Sequence, residues 1–174
     1  MPKDLESILF ATNFSENCRN AFEVSFLMAC RYNAKLVLAY IIESKLPVNI
    51  EGEIKSIIGE VEWEKIQKEH ENDARQNLIG KMTSNNIAKF VLHKYSNEIE
   101  KFKNNSKICK YETVVAKGDV ANSILNIAEN HKCDVIVMGA RNGFLKSKSL
   151  GSTLKQVMRN SKVPVIFVPP YIES

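Results

Sequence analysis

The sequence is short of the residues from which catalytic and metal centres are usually built. Its 174 residues include three His and four Cys. His70, His93 and His131 stand apart from one another, and Cys18, Cys30, Cys109 and Cys133 form no C-x-x-C pair and have no His at ligand spacing. This spacing argues against a zinc site or a redox pair and favours reduced, buried thiols. No apolar run approaches the ~20 residues that cross a bilayer, and Met1-Pro2-Lys3-Asp4 does not begin a charged-then-apolar signal segment, so no membrane partner and a cytosolic location are expected. A net charge of +4 is small, and the Lys residues are scattered among Glu, which argues against nucleic acid as a partner. No nucleophile-and-base constellation is found, so no catalytic residue and no metal ligand is assigned.

What the chain does have is globular composition, with 44% hydrophobic and 25% charged residues. Its length suits a single domain spanning residues 1–174, large enough to bury a core without disulfides. Ser7 to Thr12 reads as a buried strand. Asn13 or Ser15 can cap a following helix whose Phe22, Ser25, Phe26 and Ala29 share one face, and Asn33 sits where a left-handed C-terminal cap belongs. Lys35 to Ile42, apolar nearly throughout, reads as a central parallel strand.

An enlarged helical segment is expected over about 51–104, carrying Trp63 and a stripe of Ile87, Val91, Tyr95, Ile99 and Phe102. Those side chains are read as packing residues, and the alternative is a surface for a protein partner. Ile108 to Ala116 alternates as a strand, Asp119 caps another helix, and Asp134 to Gly139 returns to the sheet. The last strand, Val163 to Val168, contains Pro164, which places it at an edge. Strands alternating with helices predict an α/β fold, an open parallel sheet with helices on both faces. Ligands of such sheets sit outside the carboxyl ends of the strands, around Thr12, Asn13, Ile41, Ile42, Met138 and Gly139.

One stretch adds chemistry to this layout. From Asp134 to Val157 a buried strand passes into a Gly-and-Lys loop and then a helix opened by Gly151, Ser152 and Thr153. Free N–H groups and the helix dipole favour an anion at such a start, although a tight turn alone would also account for it.

Taken in order, Ile8 to Glu16, Ala29 to Ile42, Gly118-Asp119 and Asp134 to Phe167 resemble the universal stress protein family over nearly the whole chain. The resemblance implies a five-stranded Rossmann-like parallel sheet of the adenine nucleotide alpha hydrolase type, usually dimeric. Many members bind ATP through Gly-x2-Gly-x9-Gly-Ser/Thr. Carried over, the candidate site comprises Ala11, Thr12, Asn13, Ile41, Met138, Gly139, Arg141, Asn142, Gly143, Gly151, Ser152 and Thr153, with magnesium accompanying the nucleotide.

The chain departs from the pattern in three places. Asn142 stands where the second Gly belongs, with Gly143 one place later. Gly151 arrives one residue early, and one residue is up to ~3.3–3.6 Å of reach, whereas hydrogen bonds to phosphate tolerate far less. Ala11 and Asn13 replace Pro and Asp, so Asn13 keeps an acceptor oxygen without the charge. Arg141, Lys146 and Lys148 add positive charge to the loop, or are simply solvated.

The leading expectation is a cytosolic homodimer, paired through Val163 to Val168, that binds an adenine nucleotide and at most hydrolyses it slowly. The alternative is a member of the same fold that binds no nucleotide and acts as a stress-responsive interaction or scaffold protein. A third class, an adenylate-forming or electron-transfer enzyme, would need catalytic side chains that the sequence does not supply.

Overall fold

The computed structural model describes residues 4–13, 17–43, 61, 64, 110–140 and 151–169. Strands and helices alternate in them as β1 (Ser7–Thr12), α1 (Asn17–Tyr32), β2 (Lys35–Glu43), β3 (Tyr111–Gly118), α2 (Val120–Asn130), β4 (Val135–Gly139), α3 (Ser152–Asn160) and β5 (Val165–Val168). The five strands make one parallel sheet in the order β3-β2-β1-β4-β5. The chain thus runs outward from the central β1 through β2 to β3, then returns to the other flank of β1. Between β1 and β4 the winding direction reverses, and that switch point opens a crevice beyond the carboxyl ends of both strands.

Period-two alternation along the buried strands divides the interior into two cores. Ile8, Phe10, Leu36, Leu38, Val135 and Val137 face Ala21, Phe22, Phe26 and Ala29 of α1. Leu9, Ala11, Val37, Ala39, Ile41, Ile136 and Met138 face Ala121, Ile124 and Ile127 of α2 and Leu154 and Val157 of α3. Helices therefore cover both faces, as the sequence predicts. On the α1 side, the rings of Phe10 and Phe22 lie 5.8 Å apart at 53°, a tilted contact of the kind aromatic quadrupoles favour. Ser25 is fully buried there because its hydroxyl donates to the Phe22 carbonyl at 2.8 Å, leaving no unpaid desolvation.

Two helix ends close in the same way. After α1, Asn33 takes φ 53° while Ala34 N–H donates to Ala29 O and Asn33 N–H to Cys30 O, the paired bonds of a Schellman cap. After α2, Lys132 takes φ 51°, with Cys133 N–H donating to Ala128 O and Lys132 N–H to Glu129 O. The first is foreseeable from Asn. The second is not, because Lys carries no left-handed preference.

The outer strands differ from expectation in extent. β5 starts at Val165 rather than Val163, since Pro164 has no N–H to donate and the backbone of Val163 is held by the Ser161 hydroxyl. Pro164 still accepts from Ile136 N–H at 3.0 Å, so it seats the strand without extending it. β3 runs from Tyr111 to Gly118, not Ile108 to Ala116, because β2 continues to Glu43 and pairs with it to the end. The expected helical segment 51–104 lies outside the described residues, apart from Val61 and Glu64, which are helical and exposed. No helix among the described residues is long and apolar enough to cross a membrane.

Candidate functional site

Three of the expected site residues come together at the switch point. Ala11 on β1, Ile41 on β2 and Met138 on β4 belong to one buried cluster, and Leu154 from the first turn of α3 joins it. They pack together on the α2 and α3 side of the sheet, toward the carboxyl ends of their strands. Thr12, also buried, ends β1 on the opposite side of the pleat, and Asn13 follows it in an exposed position. Gly139 ends β4, half-buried and in register with Val168 of β5. Ala140 then donates its N–H to the Val168 carbonyl at 2.8 Å, which holds the start of the following loop against the edge strand.

The far wall is the start of α3. Gly151 is its N-cap, at φ −54° and ψ 149°, and provides no side-chain hydrogen bond. These angles suit any residue, and an added Cβ would meet nothing within 4 Å among the described residues. Neither its backbone angles nor the described neighbours therefore require glycine at 151. Ser152 is exposed and Thr153 half-buried in the turn that follows. Arg141, Asn142 and Gly143, with Lys146 and Lys148, lie outside the described residues.

The contrast with α2 is direct. Asp119 caps that helix by accepting from Asn122 N–H at 2.9 Å, and Gly118 before it takes φ 149°, a conformation that L side chains rarely adopt. Of α2 and α3, one satisfies its N-terminus through a carboxylate and the other has no side-chain cap among the described residues.

Sequence reasoning missed a contact at the carboxyl end of β1. The Cys18 thiol, buried at the start of α1, donates to Asn13 Oδ1 at 3.1 Å. The carboxamide oxygen that was expected to face a ligand is thus engaged by the protein. The two are five positions apart along the chain. Without the helix start between them, nothing in the sequence joins a lone Cys to this Asn.

The perturbed ionisable groups lie at the other edge of the sheet. Glu112 at the start of β3 is held below the ordinary carboxylate value by its hydrogen bond to Lys35, with burial opposing and His131 contributing charge. Burial pushes the Cys133 thiol up, against a hydrogen bond from the Ser7 hydroxyl. Asp134 accepts from the N–H groups of Glu6 and Ser7 at 2.9 and 3.0 Å. An open cleft of about 660 Å³ also lies at this edge, between Leu5, Met28, Val135, Val163 and Pro164. Its walls are mostly apolar and the Asp134 carboxylate beside it is committed to backbone, so it presents few directed polar groups. Among the described residues no group of three or more His, Cys, Asp or Glu is placed to hold a metal ion.

A sequence model of the universal stress protein family matches residues 5–169. The chain belongs to the universal stress protein family. Among curated protein sequences nothing matches it at a significant level. Several solved structures share the fold of this universal stress protein. The protein MJ0577, whose biochemical function was assigned from its structure, is 23% identical with a TM-score of 0.62, covering 98% of this chain and 100% of its own. A universal stress protein in complex with cAMP is 16% identical with a TM-score of 0.57, covering 97% and 100%. A universal stress protein family protein from Arabidopsis thaliana with AMP bound is 16% identical with a TM-score of 0.57, covering 95% and 92%. At these identities the likeness establishes the fold, and the ligands belong to those proteins.

Proposed function

We propose that this universal stress protein binds an adenine nucleotide, ATP foremost, in the crevice between the carboxyl ends of β1 and β4, and that binding rather than turnover is its main act. The observation that carries this reading is Gly151. A glycine that its backbone angles and the described neighbours do not need, at the start of a helix with no side-chain cap among the described residues, leaves N–H groups for an anion to approach closely. The apolar cluster of Ala11, Ile41 and Met138 suits a base or ribose beside it. The AMP and cAMP held by two proteins of the same fold support the same ligand class.

The residues present fit such a ligand at its phosphate end, where the N–H groups of Ser152 and Thr153 and their hydroxyls would hold it. Magnesium would arrive on the phosphates and keep several of its waters. Asp119, a carboxylate at the same sheet edge, is occupied in capping α2, which supports a binding role over hydrolysis. The second reading, a member that binds no nucleotide and serves as an interaction protein, draws its support from Asn13, whose oxygen is already engaged.

Calorimetry separates the two. Wild type takes up ATP, and Gly151→Asp, which puts a carboxylate where the phosphate would sit, loses at least tenfold in affinity while its thermal stability rises. Absence of heat with ATP, ADP, AMP and cAMP alike would favour the interaction reading.

The proposal includes a cytosolic homodimer paired along β5. This edge strand leaves Val165, Ile166 and Phe167 only half-covered, a pairing liability that a two-fold mate removes. Sedimentation should show a dimer at tens of micromolar protein and a monomer or aggregate for Ile166→Asp.

A further inference from the structure

We propose that Lys155 makes the crevice select by phosphate number, taking a nucleoside triphosphate in preference to a monophosphate or a cyclic monophosphate. The inference rests on the nucleotide-binding reading and names the residue that sets its preference. From Val135 to Ile172 the sequence contains no Asp or Glu and six Lys or Arg. Within that stretch no carboxylate answers them. Among the described three, Lys162 is paired with Glu129 at 2.9 Å, and Arg159 stands in the last turn of α3, where a cation complements the negative end of the helix dipole. Lys155 has neither explanation.

Lys155 closes the first turn of α3, its N–H donating to the Gly151 carbonyl at 3.0 Å. A cation there opposes the positive end of the dipole, no acidic residue accompanies it in that turn, and it has no ion-pair partner among the described residues. The helix alone is better off without it. Leu154 and Val157 are buried, whereas Ser152, Lys155 and Arg159 are exposed at spacings of three and four and so share the opposite face. Lys155 lies about 6 Å along the axis from Gly151, on the side of the first turn that helical side chains cover, and its four-carbon stem spans that distance. A single phosphate is met by the N–H groups of Ser152 and Thr153. Each further phosphate adds negative charge that those N–H groups do not meet, and Lys155 supplies the counter-charge one turn away.

The test is titration of ATP, ADP, AMP and cAMP, with magnesium present, into full-length wild type, Lys155→Gln, Lys155→Arg and Arg159→Gln. Wild type should bind ATP at least tenfold more tightly than AMP. Lys155→Gln should lower ATP affinity about tenfold, the worth of one hydrogen bond to a charged group, while AMP and cAMP change less than about twofold. Lys155→Arg, which keeps the charge, should restore the preference, and Arg159→Gln, a turn further from the helix start, should leave it intact. Without ligand Lys155→Gln should melt slightly above wild type, because a charge opposing the dipole is gone, yet gain less than wild type from ATP.

A merely structural role for Lys155 would weaken all four probes together. ATP binding with an ATP-to-AMP ratio that Lys155→Gln leaves unchanged, or equal losses from Lys155→Gln and Arg159→Gln, overturns this inference and leaves nucleotide binding standing. No binding of any probe to any form overturns the nucleotide reading, and this inference with it.

Discussion

α2 and α3 start at the same edge of the same sheet, each after a glycine, and the two glycines do opposite things. Gly118 is required by the protein's own backbone, because its φ of 149° is one that L side chains rarely adopt, although an added Cβ would meet Ser123 Oγ only at a contact distance of 3.4 Å. Gly151 is required by nothing in the described protein. The α2 terminus is closed by Asp119, and the α3 terminus has no side-chain cap among the described residues. A glycine at a strand-to-helix junction is therefore not evidence of a ligand until its dihedral angles and neighbours have been accounted for. Only the glycine that remains unexplained points outward.

The largest stability effect expected from this contrast is at Gly118. Gly118→Val should cost about 2–3 kcal/mol, since a β-branched side chain is strained at that angle, and urea denaturation would read it as a lower midpoint at constant slope. Gly151→Val, at ordinary angles and with open space, should cost under about 1 kcal/mol, the loss being that of a poor N-cap. Equal losses at the two positions would show that Gly151 is structural after all.

Capping comes next in size. Asp119→Ala should cost about 1 kcal/mol, while Gly151→Asp should gain about 0.5–1 kcal/mol by supplying to α3 what α2 already has. A loss of stability in Gly151→Asp would mean that the α3 terminus is satisfied by other means.

How much of this was visible in the sequence depends on which residues carry the signal. The two cores were readable in outline from the apolar runs and helical stripes, as were the parallel sheet and the left-handed Asn33. Lys132 was not, because its left-handed geometry is imposed by the return of the chain to β4 and not by any preference of Lys. The ends of β3 and β5 were misplaced because strand limits follow the partner strand and the proline, not the run of apolar residues. Ala11, Ile41 and Met138 were placed in one site and share one cluster. The grip of Cys18 on Asn13 has no sequence signature, since a buried thiol reads as a small apolar residue.

The smallest effect belongs to the opposite edge of the sheet, where charge rather than backbone does the work. Glu112 has a depressed folded-state value, so its stabilising effect is present above the unfolded value of about 4.5 and is lost as pH falls through the folded one. The groups are well exposed, so Glu112→Gln should cost less than about 1 kcal/mol at neutral pH. Its melting temperature should converge with that of wild type in acid. A gap that persists at low pH would assign the effect to packing.

The position of β1 in the sheet has a consequence for how the chain is made. Its partner β4 lies far along the sequence, the contact from Ser7 N–H to the Asp134 carboxylate spanning 127 residues. On a ribosome adding 5–20 residues per second, the flank of β1 that will receive β4 waits for roughly 6–25 s after β1 is synthesised. For that interval the most buried strand of the finished molecule is an open edge lined with Ile8, Leu9 and Phe10. The nascent chain is thus most exposed to misassembly at the segment that is later best protected, and holdase chaperones that recognise short apolar strands would find their strongest target there.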